Sequence, residues 1–253
     1  MTRISGHTSI ASPCCKSLYK VVEYASMNFS VYAYWTDGAK DGALMPNDGG
    51  LRVCRCGATF LLRDAIRLEI EASPDTLFPP KPAAADLPSV IQSASSAQIE
   101  ATARRTYWRY LNDDYRVHYR AHREKEKAKT DAQWRDDYFA CLPFLPRVIH
   151  KLLRSKPPWD YPKPERPFTV PPYKPTTKQK QNMARLLALI LNETEPSGKA
   201  DQLEVAELHR ELGQFKAAAE ALSSCNEDHQ EVTKKVIGEQ IGLCSAAPIR
   251  YRQ

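Results

Sequence analysis

Thirteen of the nineteen prolines in this 253-residue chain fall in two short stretches, residues 73–96 and 157–175. Proline fixes its own φ and offers no N–H, so neither stretch can be the interior of a long helix or a central strand. The chain is thereby cut into pieces. Residues 73–96 carry Pro74, Pro79, Pro80, Pro82 and Pro88 among alanine and serine, and read as an extended linker. Residues 157–175 interleave eight prolines with Trp159, Tyr161, Phe168 and Tyr173, which favours polyproline-II geometry. That stretch reads either as a rigid strap pinned by its rings or as a docking peptide for an aromatic-lined groove. The expected organisation is a β module at 1–72, the linker, and a helical domain at 97–253.

Before the first proline stretch the pattern is that of strands. Phe29, Val31, Ala33 and Trp35 alternate with polar or half-polar neighbours, Asp37-Gly38 and Asp41-Gly42 supply hairpin turns, and residues 51–53 and 58–62 read as further strands. Asp64 then reads as a helix N-cap before Ala65, Ile66, Leu68 and Ile70.

After the linker the period changes. Ile99, Ala103, Tyr107, Tyr110 and Leu111 recur at spacings of three and four, predicting one helix from Ala97 to about Tyr119. Trp134, Tyr138, Leu142 and Leu145 resume an apolar face, and Val148, Ile149, Leu152 and Leu153 predict a short helix before Pro157. Met183, Leu186, Leu187, Ile190 and Leu191 make a strong stripe that ends by Pro196 and Gly198. Residues 200–224 read as a helix pair turning at Gly213-Gln214-Phe215, and Val232, Val236, Ile237 and Ile241 predict one more helix. The fold class expected is α+β, mostly α.

Seven cysteines without a secretory signal argue against a disulfide framework. Four of them, Cys14, Cys15, Cys54 and Cys56, form two close pairs 38 residues apart. Two tight turns that each offer two thiolates can enclose a tetrahedral zinc, although the preferred spacing leaves two residues between the sulfurs. Here the pairs are adjacent and one residue apart. Ser12-Pro13-Cys14-Cys15-Lys16 resembles a zinc-ribbon turn with Ser12 in the first ligand position, and Val53-Cys54-Arg55-Cys56-Gly57 resembles the same turn with Val53 there. Cys15 and Cys56 are then the register-matched ligands, with Cys14 and Cys54 as neighbours that can substitute. Two readings stand: a bound zinc, or a metal-free pair of hairpins. His118 and His122 lie four apart, but arginines crowd them and no third ligand is near, so they read as solvated.

Ala206, Gly213, Phe215, Ala218 and Leu222 fall at the spacing of one tetratricopeptide unit, without a second copy at that period, so an ordinary helical hairpin is the competing reading. Together with Ser12–Lys16, Tyr34–Gly38, Met45-Pro46, Val53–Ala65 and Ala184–Leu222, this makes the chain resemble uncharacterised bacterial proteins that join a zinc-ribbon-like segment to a tetratricopeptide-like helical region. The resemblance implies that fold and a site for zinc, and carries over no established activity.

The net charge of +6 is segregated: residues 104–182 hold 19 basic and 9 acidic side chains, residues 199–240 hold 5 and 9. The sequence therefore supports a non-catalytic interaction or adaptor protein whose helical domain binds a protein partner, with nucleic-acid binding through the zinc-ribbon-like module and residues 104–182 as the alternative. No nucleophile elbow, phosphate-cradling glycine loop, His-Glu-x-x-His helix or dinucleotide fingerprint occurs, so no enzyme is expected. No apolar run reaches the roughly 18–20 residues of a membrane span, and no signal-like apolar run opens the chain. No membrane partner and a cytoplasmic location are the expectations.

Overall fold

The computed structural model describes residues 3–26, 31–42, 49–153, 157–158, 161–163, 168–192, 202–225 and 231–252. Expectations that rest on Phe29, Met45, Pro46, Trp159, Pro196, Gly198 or Asp201 lie outside these residues. The strands are β1 (Arg3–Ala11), β2 (Leu18–Ser26), β3 (Val31–Trp35), β4 (Lys40–Gly42), β5 (Leu51–Val53), β6 (Thr59–Leu61), β7 (Ile66–Glu71) and β8 (Arg250–Tyr251). The α-helices are α1 (Leu87–Gln92), α2 (Ala97–Leu111), α3 (Asp113–Ala140), α4 (Phe144–Leu152), α5 (Thr177–Leu191), α6 (Gln202–Glu211), α7 (Phe215–Ser223) and α8 (Glu231–Gly242). The α+β, mainly helical class is as expected. Contacts divide the chain into two compact units, one of residues 1–112 with 174–253 and one of residues 113–173.

In the first unit β1 pairs antiparallel with β2, from Ala11 opposite Leu18 to Arg3 opposite Ser26, and β7 lies on the other side of β1. β5 and β6 form a separate hairpin, and β3 lies between β4 and β8. β7 corrects the helix expected after Asp64. Ile66, Leu68 and Ile70 alternate strictly with charged residues, the period of a strand, and β1 supplies a ladder partner that a helical segment would leave unpaired.

Residues 73–96, expected to be extended, contain α1, and they are held against the strands. Lys20 N–H donates to Leu77 C=O and Val53 N–H to Pro80 C=O, both at 2.9 Å. Leu87 and Val90 of α1 are buried with Leu51, Leu61, Ile99, Ala103 and Tyr107, so strands and helices share a core. Ser96 caps α2, its side chain accepting from Ile99 N–H. The single helix expected to run to Tyr119 is two, with Asn112 between α2 and α3.

A second core joins Trp108 of α2 to Met183, Leu186, Leu187 and Ile190 of α5 and to Val205 and Leu208 of α6. Thr176 and Gln179 form a reciprocal capping box at the start of α5. Gly213 turns α6 into α7 at φ +80°, a conformation that favours glycine. Leu203, Ala206, Cys225 and Ile237 close the core between α6, α7 and α8.

In the second unit, aromatic rings of the proline-rich stretch lie along α3. Tyr173 meets Tyr115 edge-on at 4.7 Å, Phe168 meets Tyr119 at 5.1 Å, and Tyr161 meets Tyr138 at 5.0 Å between ring centroids. Backbone carbonyls of the stretch are satisfied in the same way: Tyr115 Oη donates to Pro171 and Trp134 Nε1 to Pro162, each at 3.1 Å.

Candidate metal centre

Two turns bring the sulfurs together. The first, between β1 and β2, closes through Ser12 N–H to Ser17 C=O at 2.9 Å and Lys16 N–H to Ser12 C=O at 3.1 Å, with Lys16 at φ +60°. The second, between β5 and β6, closes through Cys54 N–H to Ala58 C=O at 2.8 Å and Gly57 N–H to Cys54 C=O at 2.9 Å. Gly57 sits at φ +85° with open space around it, so backbone conformation rather than crowding calls for glycine there. The β strands thus fix the register of both turns, and the tips face one another.

All four sulfurs of Cys14, Cys15, Cys54 and Cys56 lie within 4.8 Å of one another. Cys15 Sγ is 3.3 Å from Cys54 Sγ, and Cys56 Sγ is 3.5 Å from Cys14 Sγ. These separations exceed a disulfide bond of about 2.05 Å. They bracket, with the 4.8 Å limit, the edge of about 3.8 Å expected for four sulfurs at 2.3 Å from a tetrahedral zinc. The donor set and its spacing fit such an ion. Cys54 is buried and the other three are exposed.

The surroundings favour thiolate at one sulfur and disfavour several at once. Burial opposes ionisation of Cys54, but the Ser12 hydroxyl, the Cys56 backbone N–H, Tyr19 Oη and Cys15 outweigh it and bring the thiol down to about 5. Hydrogen bonding by Ser17 lowers Cys15 as well. The Ala58 backbone N–H pulls Cys56 down, yet Cys14 and the neighbouring thiolate of Cys54 push it up to about 12. Like charge accumulates at this spot, and a dication is the species that would let all four sulfurs ionise together.

Sequence reasoning singled out the four cysteines, and the structure gathers them. It placed Ser12 only where a zinc-ribbon turn has its first ligand. Ser12 is buried with Oγ 3.3 Å from Cys54 Sγ and 3.7 Å from Cys15 Sγ, and it also accepts from Ser17 N–H at 3.1 Å. Val53 stays within β5. Tyr19 was missed: its hydroxyl donates to Cys54 Sγ at 3.5 Å and accepts from Arg55 N–H at 2.7 Å. Tyr19 lies on β2, two residues past Ser17, and no local sequence signal marks it. Among the described residues no other group of three or more Cys, His, Asp or Glu ligand atoms is so close. His118 is exposed, while His122 Nε2 lies 2.9 Å from Thr169 O and its ring packs on Phe168. No helix among the described residues is long and apolar enough to cross a membrane.

Comparison with known protein families, with curated proteins and with solved structures returns no match to this chain.

Proposed function

We propose that Cys14, Cys15, Cys54 and Cys56 bind one structural zinc ion, and that the chain is a non-catalytic interaction protein whose helical part binds a protein partner. The observation that carries the zinc is the meeting of four sulfurs from two separate turns, as many ligands as a closed tetrahedral site takes. A closed set of thiolates holds structure together, whereas a hydrolytic zinc needs a fourth position for water. The zinc-ribbon-like and tetratricopeptide-like resemblance belongs to the same proposal, with α6 and α7 as its helix pair. Absence of recognisable catalytic motifs in the sequence supports a binding role over an enzymatic one. Nucleic-acid binding has less support, because Arg104, Arg105, Arg116, Lys129 and Lys163 in the basic segment are each ion-paired with a carboxylate.

Purified full-length protein is expected to contain one zinc per chain, and the Cys15→Ser, Cys54→Ser double variant none. Chelation should lower the melting temperature of the wild type and leave the variant unmoved. A metal-free wild type whose melting is indifferent to added zinc and to chelator removes the metal. Titration with single- and double-stranded nucleic acid at low and high salt separates the two binding roles, since phosphate contacts weaken steeply with salt. Salt-sensitive binding there would replace the adaptor reading.

A further inference from the structure

The sulfurs of the two turns meet in pairs, and each pair runs from one turn to the other. Cys15 Sγ lies 3.3 Å from Cys54 Sγ, and Cys14 Sγ lies 3.5 Å from Cys56 Sγ. Covalent geometry disfavours a bond within the first turn. Adjacent Cα atoms stand about 3.8 Å apart, whereas a disulfide usually spans about 4.4–6.8 Å. Cys14 and Cys15 must then each take a partner from the second turn, and the contacts select Cys56 and Cys54. Cys14, Cys15 and Cys56 are exposed and Cys54 is buried. Each cross-turn pair therefore offers at least one sulfur that a small oxidant reaches, with a second sulfur in contact behind or beside it. Hydroxyls hold the first pair in place: Ser17 Oγ is 3.0 Å from Cys15 Sγ, and Ser12 Oγ is 3.3 Å from Cys54 Sγ.

We infer, resting on the zinc reading above for what is released, that this cluster is a reversible oxidation site for hydroperoxides, joined on oxidation as Cys15–Cys54 and Cys14–Cys56. Thiolate is both the form that a bound dication requires and the form that a peroxide oxidises. Cys15 Sγ attacks one peroxide oxygen, the O–O bond breaks, hydroxide leaves, and Cys15 becomes a sulfenic acid. The Cys54 thiolate then attacks the Cys15 sulfur, so that an S–S bond forms and the S–O bond breaks with loss of a second hydroxide. One peroxide is reduced for each disulfide made. Cys14 and Cys56 repeat the sequence with a second peroxide. Sulfurs joined in this way are no longer thiolate ligands, and the metal is released. The tips of the two turns nevertheless stay tied, because each new bond crosses between them. Oxidation exchanges a metal clasp for a covalent one and leaves the β module closed.

The test uses full-length protein supplied with zinc and carrying Cys141→Ser and Cys244→Ser, which removes two exposed thiols elsewhere. Zinc content before oxidation tests the metal by itself. Hydrogen peroxide is then titrated in the presence of a chromophoric chelator, and the product is digested with trypsin without reduction. Cleavage after Lys16, Arg52, Arg55 and Arg63 leaves Cys14 and Cys15 on one peptide and Cys54 and Cys56 on two others. Two equivalents of peroxide are expected to release all the zinc and to link the three peptides into one species. Fragmentation between Cys14 and Cys15 then assigns the two bonds, and dithiothreitol restores zinc uptake. The oxidised chain should melt above the reduced chain stripped by chelator, since the links close long loops. A Cys54–Cys56 bond that leaves the first peptide unattached overturns the proposal. So do sulfinic acids in place of disulfides, or thiols that excess peroxide leaves unchanged. Cross-turn bonds in a chain that held no zinc would support the oxidation site and remove the metal alone.

Discussion

Glu211 is fully buried, and its carboxylate accepts from Trp108 Nε1 at 2.9 Å and from Asn112 Nδ2 at 3.2 Å. Asn112 Nδ2 also reaches Asp37 Oδ2 at 3.1 Å, so one amide serves two acidic side chains. Burial first, then the charges of Glu207 and Asp37, push the Glu211 carboxyl well above its ordinary 4.5. The fold therefore holds a proton that the unfolded chain gives up near pH 4.5. The stability this proton contributes is complete below that pH and declines as pH rises toward the raised value. Glu211→Gln keeps the size and removes the titration. Its melting temperature, measured from about pH 5 to pH 8, is expected to fall less with pH than that of the wild type. Parallel curves for the two proteins would show that Glu211 is ionised in the native state.

Elements show what a sequence pattern discloses and where tertiary partners decide. β3, β5 and β6 were legible because alternation and Gly-containing turns lie together in sequence. β7 carried the same alternation, Ile66, Leu68, Ile70, but Asp64 and Ala65 beside it supplied a helix start, and only β1 resolves the competition. Of the β1–β2 hairpin only the turn at Ser12–Lys16 was legible and not its strands, since β1 mixes Ser, Thr, Gly and His with few apolar residues and draws its order from pairing on both sides. The four cysteines were legible as two pairs about one ion, but not that Cys54 is the buried member, because that follows from how two hairpins face each other. Tyr19 was hidden for the same reason: nothing local marks a strand tyrosine as a sulfur's hydrogen-bond donor. The proline-rich stretch is held differently, by rings against α3. Phe168→Ala removes contacts with Tyr119 and His122, at a loss of about 1–2 kcal/mol. Limited proteolysis should then cut between residues 157 and 175 several-fold faster than in the wild type, with α-helical content unchanged. Equal cleavage rates would mean that the Tyr115 and Trp134 hydrogen bonds suffice.

Within the first unit, residues 249–251 are stitched to the β3–β4 hairpin. Ile249 and Thr36 exchange hydrogen bonds at 3.0 Å, Ile249 N–H to Thr36 Oγ1 and Thr36 N–H to Ile249 C=O. Arg250 Nε donates to Asp41 Oδ2 at 2.7 Å, and Tyr251 stacks on Tyr34 while its hydroxyl lies 2.7 Å from Thr233 Oγ1. Behind this seam, buried Arg210 of α6 pairs with Glu207, donates to the Ser245 carbonyl, and reaches Thr36 Oγ1 at 3.4 Å. Sheet and helices therefore meet at one polar layer, and the C-terminal residues close it. Removing residues 249–253 uncovers the edge of β3, deletes a buried isoleucine and admits water beside Arg210, which together should cost about 3–5 kcal/mol. If the seam couples the two parts, amide hydrogen exchange in the truncated chain rises across β3 and α6 together. A rise confined to β3, with α6 protected as in the full chain, would show instead that the tail secures its neighbouring strand alone and that the Arg210 layer stands without it.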